Sequence, residues 1–479
     1  MNAVIQSFTE AAKSSAALTF ILKSFDRSNA PKTALGLYLL YILLKFRDNA
    51  IGTRRTPLPG PKGLPLIGNL LLFVRTPMSQ ISQLHDRFHE KYGSTWTFSM
   101  TGLGRTIMVN DPAVLEHVLK TNFWAYEKGP VLRESMEDLL GNGIFGADGH
   151  QWKWQRKMAS HIFNVKAFRD YTSNVFVQES KVVSDYFDTV ADKGVAVDVH
   201  DIFLKFTLDS FGEVSFGKSF GCLADPEQEV EFAAAFDRLN ATVSERLFLG
   251  PWKLVEWCTG VDKQVAKDKK IVVDFALDII RTRRANGFHK PQKDLLQLFM
   301  DLKGDDGEVL SDDMLKDSIL NFIIAGRDTT AQALSWMFYL MHRTSADKNI
   351  VRKLQEEIKT VLGDEMPTYE SSKHMKYAEA CRDTKIWGPD AKEFKPERWL
   401  DTDKNSPTKF PAFHAGPRTC LGQQFATIEA ITIMSLLFKR FDFELVDPDN
   451  EPGYGAGLTL PIAKGLPVRV HHRNASVAV

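Results

Sequence analysis

The stretch from Ser311 to Arg343, SDDMLKDSILNFIIAGRDTTAQALSWMFYLMHR, limits the possible folds of this chain more than any other. Ser311 is a residue type that caps helix starts, and Asp312 and Asp313 oppose the positive end of a helix dipole. His342 and Arg343 suit the other end. A helix over the whole stretch would be about 50 Å long at 1.5 Å per residue. Past Ile319 it is apolar nearly all round, as a helix running through a core is. Yet Gly326, Arg327, Asp328, Thr329 and Thr330 sit in its middle. Burying an ionisable group there costs several kcal/mol unless it is paired. Two readings stand: a solvated patch on a bent helix, or a kinked helix whose acid and alcohol, Asp328 and Thr329, face a reactive centre and relay protons.

A helix of that length needs a large body around it. The remaining apolar spacing between about residues 111 and 362 is mostly helical, with breaks at 141–149, 217–228 and 304–308. TWTFSM and TIMVND, joined through Gly102 and Gly104, read as strands, as do FDFELV and GLPVRVHH near the end. The expected class is mainly α with a minor β part (α+β). Lys plus Arg and Asp plus Glu both number 60, so global charge gives no reason to expect a nucleic-acid partner. Four scattered cysteines make neither a disulfide framework nor a C-x-x-C metal site.

The N-terminal part has its own character. Ala34 to Leu44 is an uninterrupted apolar run between Lys32 and Lys45. It is shorter than the ~20 residues of a full membrane span. We read residues 1–55 as a membrane anchor or interfacial segment with its flank, with Tyr38 and Tyr41 at headgroup depth and Arg54 and Arg55 on the cytoplasmic side. A buried core helix is the alternative. Residues 56–69, TPLPGPKGLPLIGN, carry four prolines and three glycines and read as a stiff hinge. Residues 70–479 then form the catalytic domain.

FHAGPRTCLG, Phe413 to Gly422, places Cys420 between two glycines just before an apolar helix. A thiolate at a helix N-terminus has a lowered pKa and is a good metal ligand. Gly416 and Gly422 would let backbone approach a flat cofactor, and Arg418 could meet an anionic group. The pattern F-x-x-G-x-R-x-C-x-G arises by chance on the order of once per million windows.

With these residues in view, the sequence resembles the cytochrome P450 family of heme-thiolate monooxygenases over nearly its whole length. Phe413 to Gly422 is similar to the family's heme-binding loop, which implies Cys420 as axial ligand to the iron of heme b. Ala325-Gly326-Arg327-Asp328-Thr329-Thr330 resembles its oxygen-activation motif, which implies Asp328 and Thr329 as proton donors to bound O2 and Ala325 and Gly326 as neighbours of the cofactor. WKWQR resembles the W-x-x-x-R motif, which implies that Trp152 and Arg156 contact the heme propionates; spacing alone fits a surface cation–π pair equally well. FKPERW resembles the family's P-E-R-F segment and implies a structural role for Arg398. The resemblance further implies electrons from NADPH through NADPH–cytochrome P450 reductase, with Lys153 and Lys157 contributing to a basic docking face or simply solvated. It implies an endoplasmic reticulum membrane location with the catalytic domain on the cytoplasmic side. Residues 122–157 and 325–343 look like the fatty-acid and alkane ω-hydroxylase branch, which implies terminal or near-terminal hydroxylation of a long-chain fatty acid, a lipophilic substrate lined by VLRESMEDLLG and GLTLPIAKG.

One departure stands out. KYAEAC resembles the lead into the family's E-x-x-R helix, and RDTKIWGPDAKEFKPERW resembles a stretch lying past the strands that follow that helix. Between Cys381 and Arg382 the intervening several dozen residues have no counterpart. Glu379 and Arg382 then form an E-x-x-R by juxtaposition alone. Three readings are open on the sequence: a working monooxygenase whose sequence has lost this segment, a shortened variant that is inactive or binds heme poorly, and a chain that folds with a degraded sheet and keeps some activity, driven by peroxide.

Overall fold

A computed structural model describes residues 30–46, 49–54, 56–163, 166–287, 294–303, 307–363, 365–368, 371, 393–396 and 411–473. The Cys381–Arg382 junction, Glu379 and Arg398 lie outside the described residues. The chain forms two compact units. The first comprises Met1–Thr76, Arg87–Met108 and Leu249–Pro251, and the second comprises the rest.

In the first unit, helix α1 (Ala30–Lys45) exposes Leu35, Tyr38, Leu40, Tyr41 and Leu44 alike, so from Leu35 onward its apolar surface is not confined to one face. Among the described residues no helix is long and apolar enough to cross a membrane. Strands β1 (Thr95–Met100) and β2 (Gly104–Val109) pair as the sequence suggests, with Trp96, Phe98 and Met100 buried. The proline-rich stretch ends against β1. Asn69 donates its backbone N–H to the Ser99 carbonyl (2.7 Å) and accepts from the Ser99 N–H (3.1 Å).

The second unit is mainly helical. Its site is framed by α2 (Gly129–Leu140), α3 (Gly149–Phe163), α4 (Lys166–Lys193), α5 (Val199–Phe216), α6 (Glu231–Arg246), α7 (Val261–Asn286), α8 (Asp312–His342), α9 (Asn349–Leu362) and α10 (Gln423–Arg440). Short strands β3 (Ala196–Asp198), β4 (Phe441–Leu445) and β5 (Pro467–His472) form an antiparallel sheet in the order β3-β5-β4. Val197 pairs with Val468 and Phe443 with Val470. β3, only three residues long, carries no sequence period that could reveal it.

Helix α8 is the central element. Ser311 caps it as expected, its hydroxyl accepting from the Met314 N–H at 3.3 Å. The helix runs without a break from Asp312 to His342, through the polar motif. Gly326 is explained by packing. A Cβ there would overlap the ring of Phe211 on α5, which is itself buried.

The polar motif does mark a boundary in the core. Leu315, Ile319, Leu320, Phe322, Ile323 and Ile324 belong to one apolar cluster. Ala331, Leu334, Phe338, Tyr339 and Met341 belong to a second. Residues 325–330 lie between them, and α10 repeats the division, with Ile428 in the first cluster and Ile433, Met434, Leu437 and Phe438 in the second. Each fully buried Phe, Leu or Ile contributes about 1.5–3 kcal/mol of apolar burial. The two clusters therefore hold both helices firmly while leaving a polar level between.

Candidate active site

The charged residues and Thr330 of the polar level are buried. Arg327 and Asp328 are each 3% exposed. The Arg327 guanidinium grips both carboxylate oxygens of Asp237 on α6 and donates to Asp328 Oδ1 at 3.2 Å. Asn240, one turn further along α6, donates its amide N–H to Asp328 Oδ2. Burial pushes the Asp328 carboxyl up to about 6, with Arg327 pulling down and Asp237 pushing up. A carboxyl of that pKa exchanges protons readily near neutrality, which is what a relay requires. Thr329, by contrast, is exposed, and its hydroxyl donates to the Ala325 carbonyl at 2.6 Å. Both members of the acid–alcohol pair are thus held, the acid by α6 and the alcohol by its own helix.

Thr330 faces α10, where Glu429 is fully buried. Neither carboxyl oxygen of Glu429 reaches hydrogen-bond geometry with a described group. Burial raises its pKa well above the usual carboxylate range, with the Thr330 hydroxyl pulling the other way. Burial thus favours the neutral form of Glu429.

Two 3-10 turns, Pro411–Phe413 and Gly416–Arg418, shape the cysteine loop. The Cys420 N–H donates to the Phe413 carbonyl (2.8 Å), and the Thr419 N–H donates to the Gly416 carbonyl (3.1 Å). Gly416 has φ +67°, and a Cβ there would overlap the Leu119 carbonyl, so its glycine serves the loop's own close packing. Gly422 caps α10, with Cys420 Sγ at 3.9 Å from where its Cβ would be. The Cys420 thiol departs from expectation. Cys420 is exposed at its surface, yet the loop atoms packed around Sγ desolvate it enough to outweigh the Gly422 N–H and the Arg156 charge, and its pKa is raised. The helix end alone does not ionise it; a metal cation in place of the proton would.

Trp152 and Arg156 project from α3 toward this loop. Arg156 donates to the Thr419 carbonyl. Arg418 stacks 4.4 Å over the Trp152 ring and pairs with Asp148 at 2.8 Å. Lys128, unremarked in the sequence, joins the group: burial and the Arg418 charge push its ammonium down to about 8. Arg418 likewise disfavours the charge on Arg156. Asp148 thus pairs with Arg418 through one oxygen and accepts the backbone N–H of Lys128 at 3.0 Å through the other, while Arg156 stands beside Arg418. Such a surplus of cations over carboxylate suits a ligand bearing two acid groups.

A sequence profile for cytochrome P450 matches residues 58–381 and 380–465. The chain belongs to the cytochrome P450 family. Among its curated relatives, the cytochrome P450 monooxygenase cyp1 of Mycosarcoma maydis is 35% identical, over 91% of this chain and 79% of its own length. Cytochrome P450 704B1 of Arabidopsis thaliana is 30% identical, over 87% and 95%. Cytochrome P450 94A2 of Vicia sativa is 28% identical, over 89% and 93%. The alignments with these three run over 512, 506 and 490 positions, each longer than the whole 479-residue chain.

As a P450, this protein is a monooxygenase that uses heme with a cysteine thiolate on iron, O2, a lipophilic substrate and reductase-supplied electrons. The residues present fit that group. Cys420 offers a thiol in a fixed loop, and Lys128, Trp152, Arg156 and Arg418 would hold the propionates. Bound in this way, the heme supplies thiolate-assisted O–O cleavage. Both oxygens of Asp328 accept hydrogen bonds, from Arg327 and Asn240, and Thr329 Oγ1 donates to the Ala325 carbonyl. Lys128, Asp148, Asp237, Asn240 and Glu429 are the site residues that sequence reasoning missed. Only Asp148, four residues before Trp152, lay close enough to a motif to be noticed.

Proposed function

We propose that this P450 hydroxylates long-chain fatty acids at or near the terminal carbon, and that the chain as written lacks a segment between Cys381 and Arg382. The reaction inserts one oxygen atom of O2 into a C–H bond. The other atom leaves as water, which takes two protons and two electrons. The substrate reading is carried by the arrangement around α6. Of the two stretches that resemble pocket walls, α2 is tied to Arg246 of α6 through Asp138 (2.8 Å) and the Ser135 carbonyl (3.2 Å). The other, 457–465, is tied to Asn240 of α6 through the Leu458 N–H (3.1 Å). Both walls thus meet the helix that holds Asp328.

Support for the missing segment comes from the matches themselves. The profile match breaks into two stretches that meet at residues 380–381, and alignments longer than the chain leave relatives' residues facing gaps. A passage this short cannot supply a helix, a crossover and several strands. The exposed apolar surface of α1 and Arg54 beyond it support an interfacial anchor with the catalytic unit on the cytoplasmic side. Exposed Lys153 and Lys157 on α3 support docking of NADPH–cytochrome P450 reductase near the cysteine loop.

The test has two arms. The chain as written, reduced under carbon monoxide, is expected to give no stable thiolate-type Soret band; a normal, persistent band overturns the claim that the junction is disabling. The transcript is sequenced across Cys381–Arg382, and the longer protein it encodes is assayed with reductase and NADPH. Terminal hydroxylation of fatty acids is expected. A longer protein with a thiolate band that leaves fatty acids untouched overturns the substrate.

A further inference from the structure

Asn240 makes two hydrogen bonds, one from each end of its amide. Its Oδ1 accepts from the backbone N–H of Leu458 at 3.1 Å, and its Nδ2 donates to Asp328 Oδ2. A backbone N–H can only donate, so Leu458 fixes which end of the amide is oxygen. The NH2 end is therefore forced toward Asp328. Asn240 is buried, as Asp328 is, so water offers no substitute for either bond.

We propose that Asn240 is a positioning residue for Asp328, holding its carboxylate on the α6 side of the motif and linking it to the 457–465 stretch through Leu458. This deepens the monooxygenase reading and rests on it for the role of Asp328. The link gives the relay acid a direct mechanical connection to a pocket wall. A displacement of residues 457–465 or of α6 that breaks the Leu458 bond frees the amide to turn, and Asp328 then loses its donor. The groups facing Asp328 are Arg327 beside it and Asp237 from α6, and Cys222 in the 217–230 loop faces Arg327 in turn.

The experiment uses the full chain without requiring bound heme, so it stands apart from any failure of turnover. Infrared spectra are recorded against pH, and the spectrum of Asp328→Asn is subtracted to isolate the Asp328 carboxyl. In Asn240→Leu the titration midpoint is expected to rise by about one pH unit, the size of one lost hydrogen bond to a charged group. Asn240→Asp, nearly identical in shape, keeps the acceptor for Leu458 and places a second carboxyl beside the first, so its midpoint is expected to rise further. Leu239→Ala, which opens the core on the same helix, is expected to lower thermal stability and leave the midpoint in place. An unmoved midpoint in Asn240→Asp, or an equal shift in Leu239→Ala, overturns the proposal.

Discussion

Asp328 on α8 and Glu429 on α10 are both wholly buried acids at the same polar level between two apolar clusters. Their surroundings differ completely. Asp328 receives donors from Arg327 and Asn240, and its carboxyl titrates at about 6. Glu429 receives no properly aligned donor from a described group, and burial raises its pKa well above the usual carboxylate range. Equal burial therefore gives one acid that can cycle its proton and one that cannot. The partners, Arg327 on α8 itself and Asn240 on α6, make the difference.

Removing the thiol of the loop that leads into α10 should have the largest effect. Cys420→Ser is expected to abolish the thiolate-type Soret band in any form of the protein that holds heme; a retained band would mean the ligand lies elsewhere. The next variant breaks the α6 side. Arg327→Met leaves Asp237 without its cation and Asp328 buried without one, and should cost about 3–5 kcal/mol in urea denaturation at pH 7. The loss should shrink below pH 6, where Asp328 is protonated and needs no partner. A pH-independent loss would show that packing dominates.

Thr329→Ala is expected to lower product formation about 10–100-fold in the heme-loaded protein while leaving stability within about 1 kcal/mol. Product yield per O2 consumed is the measurement, and an unchanged yield would remove the hydroxyl from the relay. The subtlest variant, Glu429→Gln, tests the suppressed acid. The folded pKa of Glu429 is raised, so the folded state keeps a proton that the unfolded chain releases. Stability then falls as pH rises above about 4.5, by about 1.4 kcal/mol per pH unit for one proton. Glu429→Gln should lack that component, and its melting temperature relative to the parent should climb between pH 5 and 8. Parallel curves would mean Glu429 ionises within the fold.

Much of this was legible in the sequence because it was local. The cap at Ser311, the central helix, the strands at 95–109, 441–445 and 467–472, and the placement of Trp152 and Arg156 on one helix all follow from short-range patterns. The cysteine loop was legible as a motif. What the sequence withheld depends on chain segments meeting. Asn240 and Asp237 sit on an ordinary amphipathic helix about ninety residues before the acid they serve, with nothing beside them to mark them. The unbroken course of α8 depends on Phe211 filling the space that Gly326 leaves, a contact no spacing rule contains. The raised pKa of Cys420 arises because desolvation exceeds the helix-end effect, a balance of magnitudes and not a pattern.

The contact between Gly326 and Phe211 also constrains how this protein can change through descent. The Phe211 ring on α5 occupies the space that a Cβ on residue 326 would need. An alanine could be accepted there only in a lineage that had already replaced Phe211 with something smaller. Reverting the small partner would then be barred in turn by the alanine. Positions 211 and 326 should therefore drift as a pair, in a fixed order, and an alignment of descendants should show the four possible combinations with one of them empty.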